Sequence, residues 1–151
     1  MNELQRERVD GEDPWVLSVE DDAGDRRLIE RAVRSSSAPC RIEFAENSST
    51  ALERLENAVA AGAPPNVVLL DLNLPGLGGR ALLSHVRDSD RLRQLVIVIL
   101  TTSRNPEDVR WCYDNACNGF LRKPNSWSEL SRIMDRTLEF WVLTAERPTL
   151  S

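Results

Sequence analysis

Val67-Val68-Leu69-Leu70-Asp71-Leu72-Asn73-Leu74-Pro75-Gly76 is the stretch on which the fold turns. Valines and leucines run without a break into a carboxylate. Pro64-Pro65-Asn66 precedes the run and Pro75-Gly76 follows it, so turn signals bound it on both sides. A short apolar run bounded in this way reads as a strand buried on both faces. Such strands belong to parallel sheets covered by helices on either side. Asp71 then ends a central strand, at the edge where open α/β sheets bind ligands. A carboxylate there costs free energy unless it has a partner or a task.

Outward from this strand the chain repeats one pattern. Upstream, Trp15-Val16-Leu17-Ser18-Val19 is a strand that runs into Glu20-Asp21-Asp22. A helix starts at Asp22 or Asp25, with Leu28, Ile29, Ala32 and Val33 on one face. Asp22 and Asp25 lie in its first turn, where the helix dipole favours acids, and both read as capping residues. Glu20 and Asp21 are not explained in that way and read as part of a site. Arg41-Ile42-Glu43-Phe44-Ala45 alternates and reads as an edge strand. Asn47 or Ser48 caps the next helix, which turns Ala51, Leu52, Leu55, Ala58 and Val59 inward and ends at Gly62.

Downstream of the Pro75-Gly76 turn, a helix carries Ala81, Leu82, His85 and Val86. Residues 95–100 form a second wholly apolar strand that ends on Thr101-Thr102-Ser103. A helix is predicted over 106–116, with Val109, Cys112, Tyr113 and Ala116 in phase. Gly119-Phe120-Leu121-Arg122 is a short strand closed by Lys123-Pro124. Ser126-Trp127-Ser128-Glu129 fits a capping box for a last helix through Leu130, Ile133, Met134, Leu138 and Trp141. Strand and helix alternate five times over short connections, which predicts an α/β fold with one doubly wound parallel sheet. The expected organisation is a flexible arm over 1–14, one domain over 15–144 and a loose tail over 145–151.

Composition narrows the function. At 151 residues the chain can bury a substantial core, and its formal charge of −5 argues against a nucleic-acid surface. No apolar run is long enough to span a bilayer and no secretory signal opens the chain, so a cytoplasmic protein without membrane attachment is expected. Cys40, Cys112 and Cys117 are odd in number, without a paired motif, and fit reduced thiols. The single histidine, His85, has no ligand-like spacing to them and reads as a helix-surface position.

The chemistry lies just past the strand ends. The first strand supplies Glu20 and Asp21, the third Asp71, the fourth Thr101 and the fifth Lys123. In a parallel sheet all of these fall on one edge. Carboxylates gathered there repel and hold protons unless a cation sits among them. Hard oxygen ligands with room for waters suit Mg²⁺, which often carries a phosphate as well. Lys123 offers a point charge to an anion and Thr101 a hydroxyl donor. Asp71, which ends the most buried strand, is the natural nucleophile, because aspartate forms acyl phosphates.

This set, Glu20-Asp21, Asp71 within Leu70-Asp71-Leu72-Asn73-Leu74-Pro75, Thr101 and Lys123-Pro124, resembles the receiver domain of two-component response regulators. Leu100-Thr101-Thr102-Ser103 and Glu139-Phe140-Trp141 further resemble the single-domain regulators that accompany bacterial phytochrome histidine kinases. The resemblance implies a flavodoxin-like (βα)5 sheet in the order 2-1-3-4-5. It implies that Asp71 accepts a phosphoryl group from a sensor histidine kinase. Asp21 would ligate Mg²⁺ directly, Glu20 through water and Asn73 through its backbone carbonyl. Thr101 would bond the phosphoryl group, Lys123 would pair with it, and Phe120 would change rotamer as the threonine moves. Four positions depart from the family pattern. Glu20 is longer than the aspartate often found there, Gly78 stands where many members have aspartate, and Thr102 replaces an alanine. Ala116 replaces a glycine, which strains the connection if it needs a positive φ.

No output domain is expected after the last helix, so output is expected through contact with another protein or by drawing phosphate from a kinase. Trp111 and Phe140 fall out of phase with their helices' core stripes, and large apolar groups on a surface mark contact sites. With Trp141 they point to a homodimer through the fourth helix, fifth strand and fifth helix. A switch that signals through a phosphorylation-sensitive face competes with a phosphate sink or relay intermediate, and with a degenerate scaffold. It also competes with a phosphatase that uses Asp71 as nucleophile. Phosphatases of the haloacid-dehalogenase kind need a second acid two residues on, and Asn73 stands there.

Overall fold

A computed structural model describes residues 13–150. Residues 1–12 of the expected arm therefore lie outside the described residues. The elements in chain order are β1 (Trp15–Val19), α1 (Ala23–Arg34), β2 (Arg41–Ala45), α2 (Ser48–Ala60), β3 (Val67–Leu70), α3 (Gly78–Asp88), β4 (Ile97–Thr101), α4 (Pro106–Asp114), β5 (Gly119–Arg122) and α5 (Trp127–Leu138). A π-helical turn, Glu139–Thr144, extends α5. The strands form one parallel sheet in the order β2-β1-β3-β4-β5, with β2 at one edge.

The wholly apolar reading of β3 has a simple cause. Side chains alternate across a strand, so Val68 and Leu70 enter one core and Val67 and Leu69 the other. The first core packs Leu55 and Val59 of α2, Leu82, Leu83 and Val86 of α3, and Cys112 of α4. The second packs Ile29, Ala32 and Val33 of α1 against Leu130, Met134 and Leu138 of α5. Asp22, Asn47, Asn105 and Ser126 cap their helices through side-chain oxygens. Among the described residues no helix is long and apolar enough to cross a membrane.

Several boundaries differ from expectation. β4 begins at Ile97, and Leu95 and Val96 lead into it as buried but irregular chain. α4 stops at Asp114 and is rotated about its axis. Cys112 is buried, but Tyr113, expected inward, is exposed, and Trp111 packs on the core instead. Residues one step either side of Cys112 lie about 100° away in opposite directions, so a small rotation decides which of the two covers the sheet. Leu28, also expected inward, is 43% exposed. The tail after Thr144 has no regular structure but is anchored. Arg147 donates to the Pro65 carbonyl, and Leu150 is buried in the first core. A lone leucine has no periodicity to announce it.

Ala116 adopts φ 62°, a left-handed conformation for a residue with a Cβ. Arg87 steadies the turn. It donates to the carbonyls of Ala116, Arg93 and Leu95 and to Asn118 Oδ1, which also accepts from Ile97 N. Left-handed backbone costs about 1–2 kcal/mol for such a residue, and glycine returns part of that gain as chain entropy. Ala116→Gly is expected to stabilise the fold by about 0.5–1 kcal/mol, read as a higher urea midpoint at unchanged slope.

Candidate metal centre

β1 and β3 are neighbours, and the chain leaves them in opposite directions across the sheet. Their carboxyl ends therefore border the crevice at the switch point. Backbone bonds fix the floor: Asp71 N donates to Val19 O at 3.2 Å, and Glu20 N to Ala45 O at 2.9 Å. Lys123 N donates to Thr101 O at 2.8 Å, which brings the end of β5 to the end of β4. Glu20, Asp21 and Asp71 each turn an oxygen into one group whose members lie within 4.8 Å of one another. Glu20 and Asp71 are buried and Asp21 is exposed.

Lys123 joins them. Its Nζ lies 2.5 Å from Glu20 Oε2, 2.9 Å from Asp25 Oδ2 and 3.0 Å from Asp71 Oδ2. Burial pushes the Glu20 carboxyl up to about 7 against the pull of Lys123, with Asp71 adding repulsion. Burial works against the charge on Lys123, but hydrogen bonds to Asp25, Glu20 and Asp71 outweigh it and hold the ammonium above the usual lysine range. Three carboxylates thus surround one ammonium, and Asp21 stands beside Glu20 and Asp71 as a fourth. An all-oxygen donor set with negative charge in excess and one ligand open to water fits a hard divalent cation.

Thr101 is fully buried, and its Oγ1 accepts from Asn73 Nδ2 at 3.4 Å and from Ser103 N at 3.3 Å. Asn73 enters the sequence reading through its carbonyl. Its amide also reaches Thr102 Oγ1 at 3.4 Å, so the side chain spans the mouth of the pocket. Phe120 is half-buried against the first core. Trp111 lies half-buried on α4 beneath the Arg80 guanidinium, 5.5 Å from its ring centre. Phe140, 51% exposed, meets Trp141 edge-on at 4.8 Å. None of these aromatic rings makes the pocket contacts described above.

Three residues of the site escaped the sequence reading. Asp25, read as a capping acid, contacts Lys123. Arg26 holds the loop after β1 by donating to the carbonyls of Glu20 and Asp21. Gly79, at the start of α3, lies so close to β3 that a Cβ there would meet the Asp71 carbonyl oxygen at 2.2 Å. Only Gly79 had a signal, since it follows the carboxylate-bearing strand within one turn of a helix start.

Fold and pocket together define a doubly wound α/β domain that gathers carboxylates and a lysine around its switch point. The chain belongs to the response regulator receiver domain family, whose model matches residues 16–135. Members of that family are signalling switches of two-component systems, and they bind divalent metal at such an acidic pocket. The chain is 38% identical over 136 residues to the probable methanogenesis regulatory protein FilR2 of Methanothrix harundinacea, covering 89% of this chain and 88% of that one. It is 30% identical over 135 residues to response regulator Rcp1 of Synechocystis, covering 88% and 92%. The Mn²⁺-bound structure of Rcp1 superposes with a TM-score of 0.79 at 29% identity, over 89% of this chain and 99% of the other. The phosphorylated cyanobacterial phytochrome response regulator RcpA superposes at 0.81 with 32% identity, over 90% and 99%.

Proposed function

We propose that this protein is a single-domain response regulator that accepts a phosphoryl group on Asp71 from a sensor histidine kinase and signals through a protein-binding face. The observation that carries the reading is the convergence of Glu20, Asp71 and Lys123, all buried or nearly so, beside an open Asp21. Phosphoryl transfer asks a protein for positioning and charge neutralisation, and this pocket offers both. Mg²⁺ would be held by Asp21, by Asp71, by Glu20 through water and by the Asn73 carbonyl, and when bound it screens the incoming phosphate from the carboxylate. Lys123 pairs with a phosphoryl oxygen and Thr101 donates to another.

Signal output follows from the same contacts. A phosphoryl group on Asp71 draws Thr101 Oγ1 away from Asn73, and Phe120, packed at the edge of the core, fills the space left behind. Ser103, two residues past Thr101, is tied to Asp108 of α4, which also pairs with Arg80 of α3. Movement of the β4–α4 loop therefore pulls on the α4 surface. The resemblance of relatives named for phytochrome signalling supports a phytochrome-type kinase as the partner, with the cytoplasm as the place of work. Acetyl phosphate with Mg²⁺ tests the function: one added phosphate on Asp71, by intact mass and peptide mapping, is expected. A chain that stays unmodified by acetyl phosphate and by its kinase overturns it.

Homodimerisation through α4, β5 and α5 belongs to the same reading. Phe140 and Tyr113 are exposed aromatic rings on or beside α5 and α4, and such groups favour contact surfaces. Sedimentation velocity is expected to show a dimer that Phe140→Ala weakens by about tenfold in Kd, as loss of a buried aromatic anchor does. A monomer at high concentration, with and without phosphate, removes this part of the reading.

A further inference from the structure

Lys123 makes one contact that transfer to Asp71 does not by itself require. A lysine ammonium has three N–H donors, and the carboxylates of Glu20, Asp25 and Asp71 occupy all three. Glu20 and Asp71 also belong to the oxygen group that fits a metal, whereas Asp25 does not. Asp25 stands on the first turn of α1, with its side chain 37% exposed, and reaches the lysine across 98 residues of chain. A cation among Glu20, Asp21 and Asp71 would meet the charge of two of the three partners and leave Asp25 facing the ammonium.

We propose that Asp25 is a positioning residue that holds Lys123 towards α1 and competes with the incoming phosphoryl group for it. The inference rests on the reading of Asp71 as phosphoacceptor. A phosphoryl oxygen recruits the lysine only by displacing one acceptor, and Asp25, partly screened by water and outside the oxygen group that would hold the metal, is the one that yields. Asp25 therefore sets how readily the pocket is charged.

The test uses the full chain, acetyl phosphate and Mg²⁺. An Asp71 oxygen forms the new bond to phosphorus, and the bond from phosphorus to the acetate oxygen breaks, its electron pair leaving with acetate. The second-order charging rate is read by intact mass for the natural protein, Asp25→Asn and Asp25→Glu, at low and high salt. Asp25→Asn is expected to charge about three- to fivefold faster at low salt, the range of a partly exposed ion pair. The gain shrinks at high salt, where exposed charges are screened. Asp25→Glu returns the rate to that of the natural protein. A merely structural role would slow charging at both salts. If Asp25→Asn charges no faster while the natural protein takes phosphate on Asp71, the inference alone fails. If the natural protein takes none, the phosphoacceptor reading fails and the inference falls with it.

Discussion

Asp71→Asn is expected to abolish charging by acetyl phosphate, with a loss of at least about a thousandfold in rate, as when a covalent nucleophile is removed. The substitution keeps the side chain's size, so β3 and its two cores are undisturbed. The backbone bond from Asp71 N to Val19 O survives it. Asn73 N, which donates to Asp71 Oδ1, finds an amide oxygen in the same place. What changes is the charge. Lys123 keeps Glu20 and Asp25 as partners, and the repulsion that Asp71 exerts on Glu20 disappears. The Glu20 carboxyl is expected to move down only in part, because burial, the main cause of its rise, remains, and the apo protein is expected to be no less stable than the natural one. Metal binding is expected to weaken, because a charged oxygen ligand becomes neutral. Intact mass and thermal melting with and without Mg²⁺ separate these effects. Phosphate that still appears on the variant at the natural rate would place the acceptor elsewhere.

Much of this arrangement was legible because the signals are local. β3 reads as a buried central strand because both of its faces are covered, and Asp71 stands out because an acid ends an apolar run. The residues past β1, β4 and β5 join it because parallel strands place their carboxyl ends on one edge. What was not legible depends on rotation and approach. Asp25 serves α1 as a first-turn acid, and nothing in its spacing shows that α1 leans on β5's end closely enough to meet Lys123. Trp111 and Tyr113 flank Cys112 symmetrically, so the pattern cannot say which of them faces the sheet. Arg87 looks like a last-turn cation, but its guanidinium ties together three carbonyls and Asn118. Leu150 lies beyond every periodic segment and is buried only because the tail folds back past Pro65.

Gly79→Ala is expected to cost about 3 kcal/mol of stability, the upper range for overpacking a close contact. For a chain of this size that is a fall of about 10 °C in Tm. A Cβ at Gly79 would lie 2.2 Å from the Asp71 carbonyl oxygen and 3.0 Å from both Asp71 C and Leu72 Cα. All three are backbone atoms, so no rotamer change relieves the clash. Either α3 moves away from β3, opening a gap beneath Leu82 and Leu83, or the chain after Leu70 bends. The second response carries the Asp71 carboxylate away from Lys123 and Glu20, so charging by acetyl phosphate is expected to fall along with stability. Gly76→Ala is the control. Gly76 has φ 71° but nothing within 4 Å of a built Cβ, so it is expected to cost only the about 1–2 kcal/mol of left-handed strain. Because Gly76 lies in the turn and Gly79 against the end of β3, equal losses at the two positions would mean that backbone strain alone governs this loop. A larger loss at Gly79, with slower charging, means that the approach of α3 to β3 sets where the Asp71 carboxylate stands.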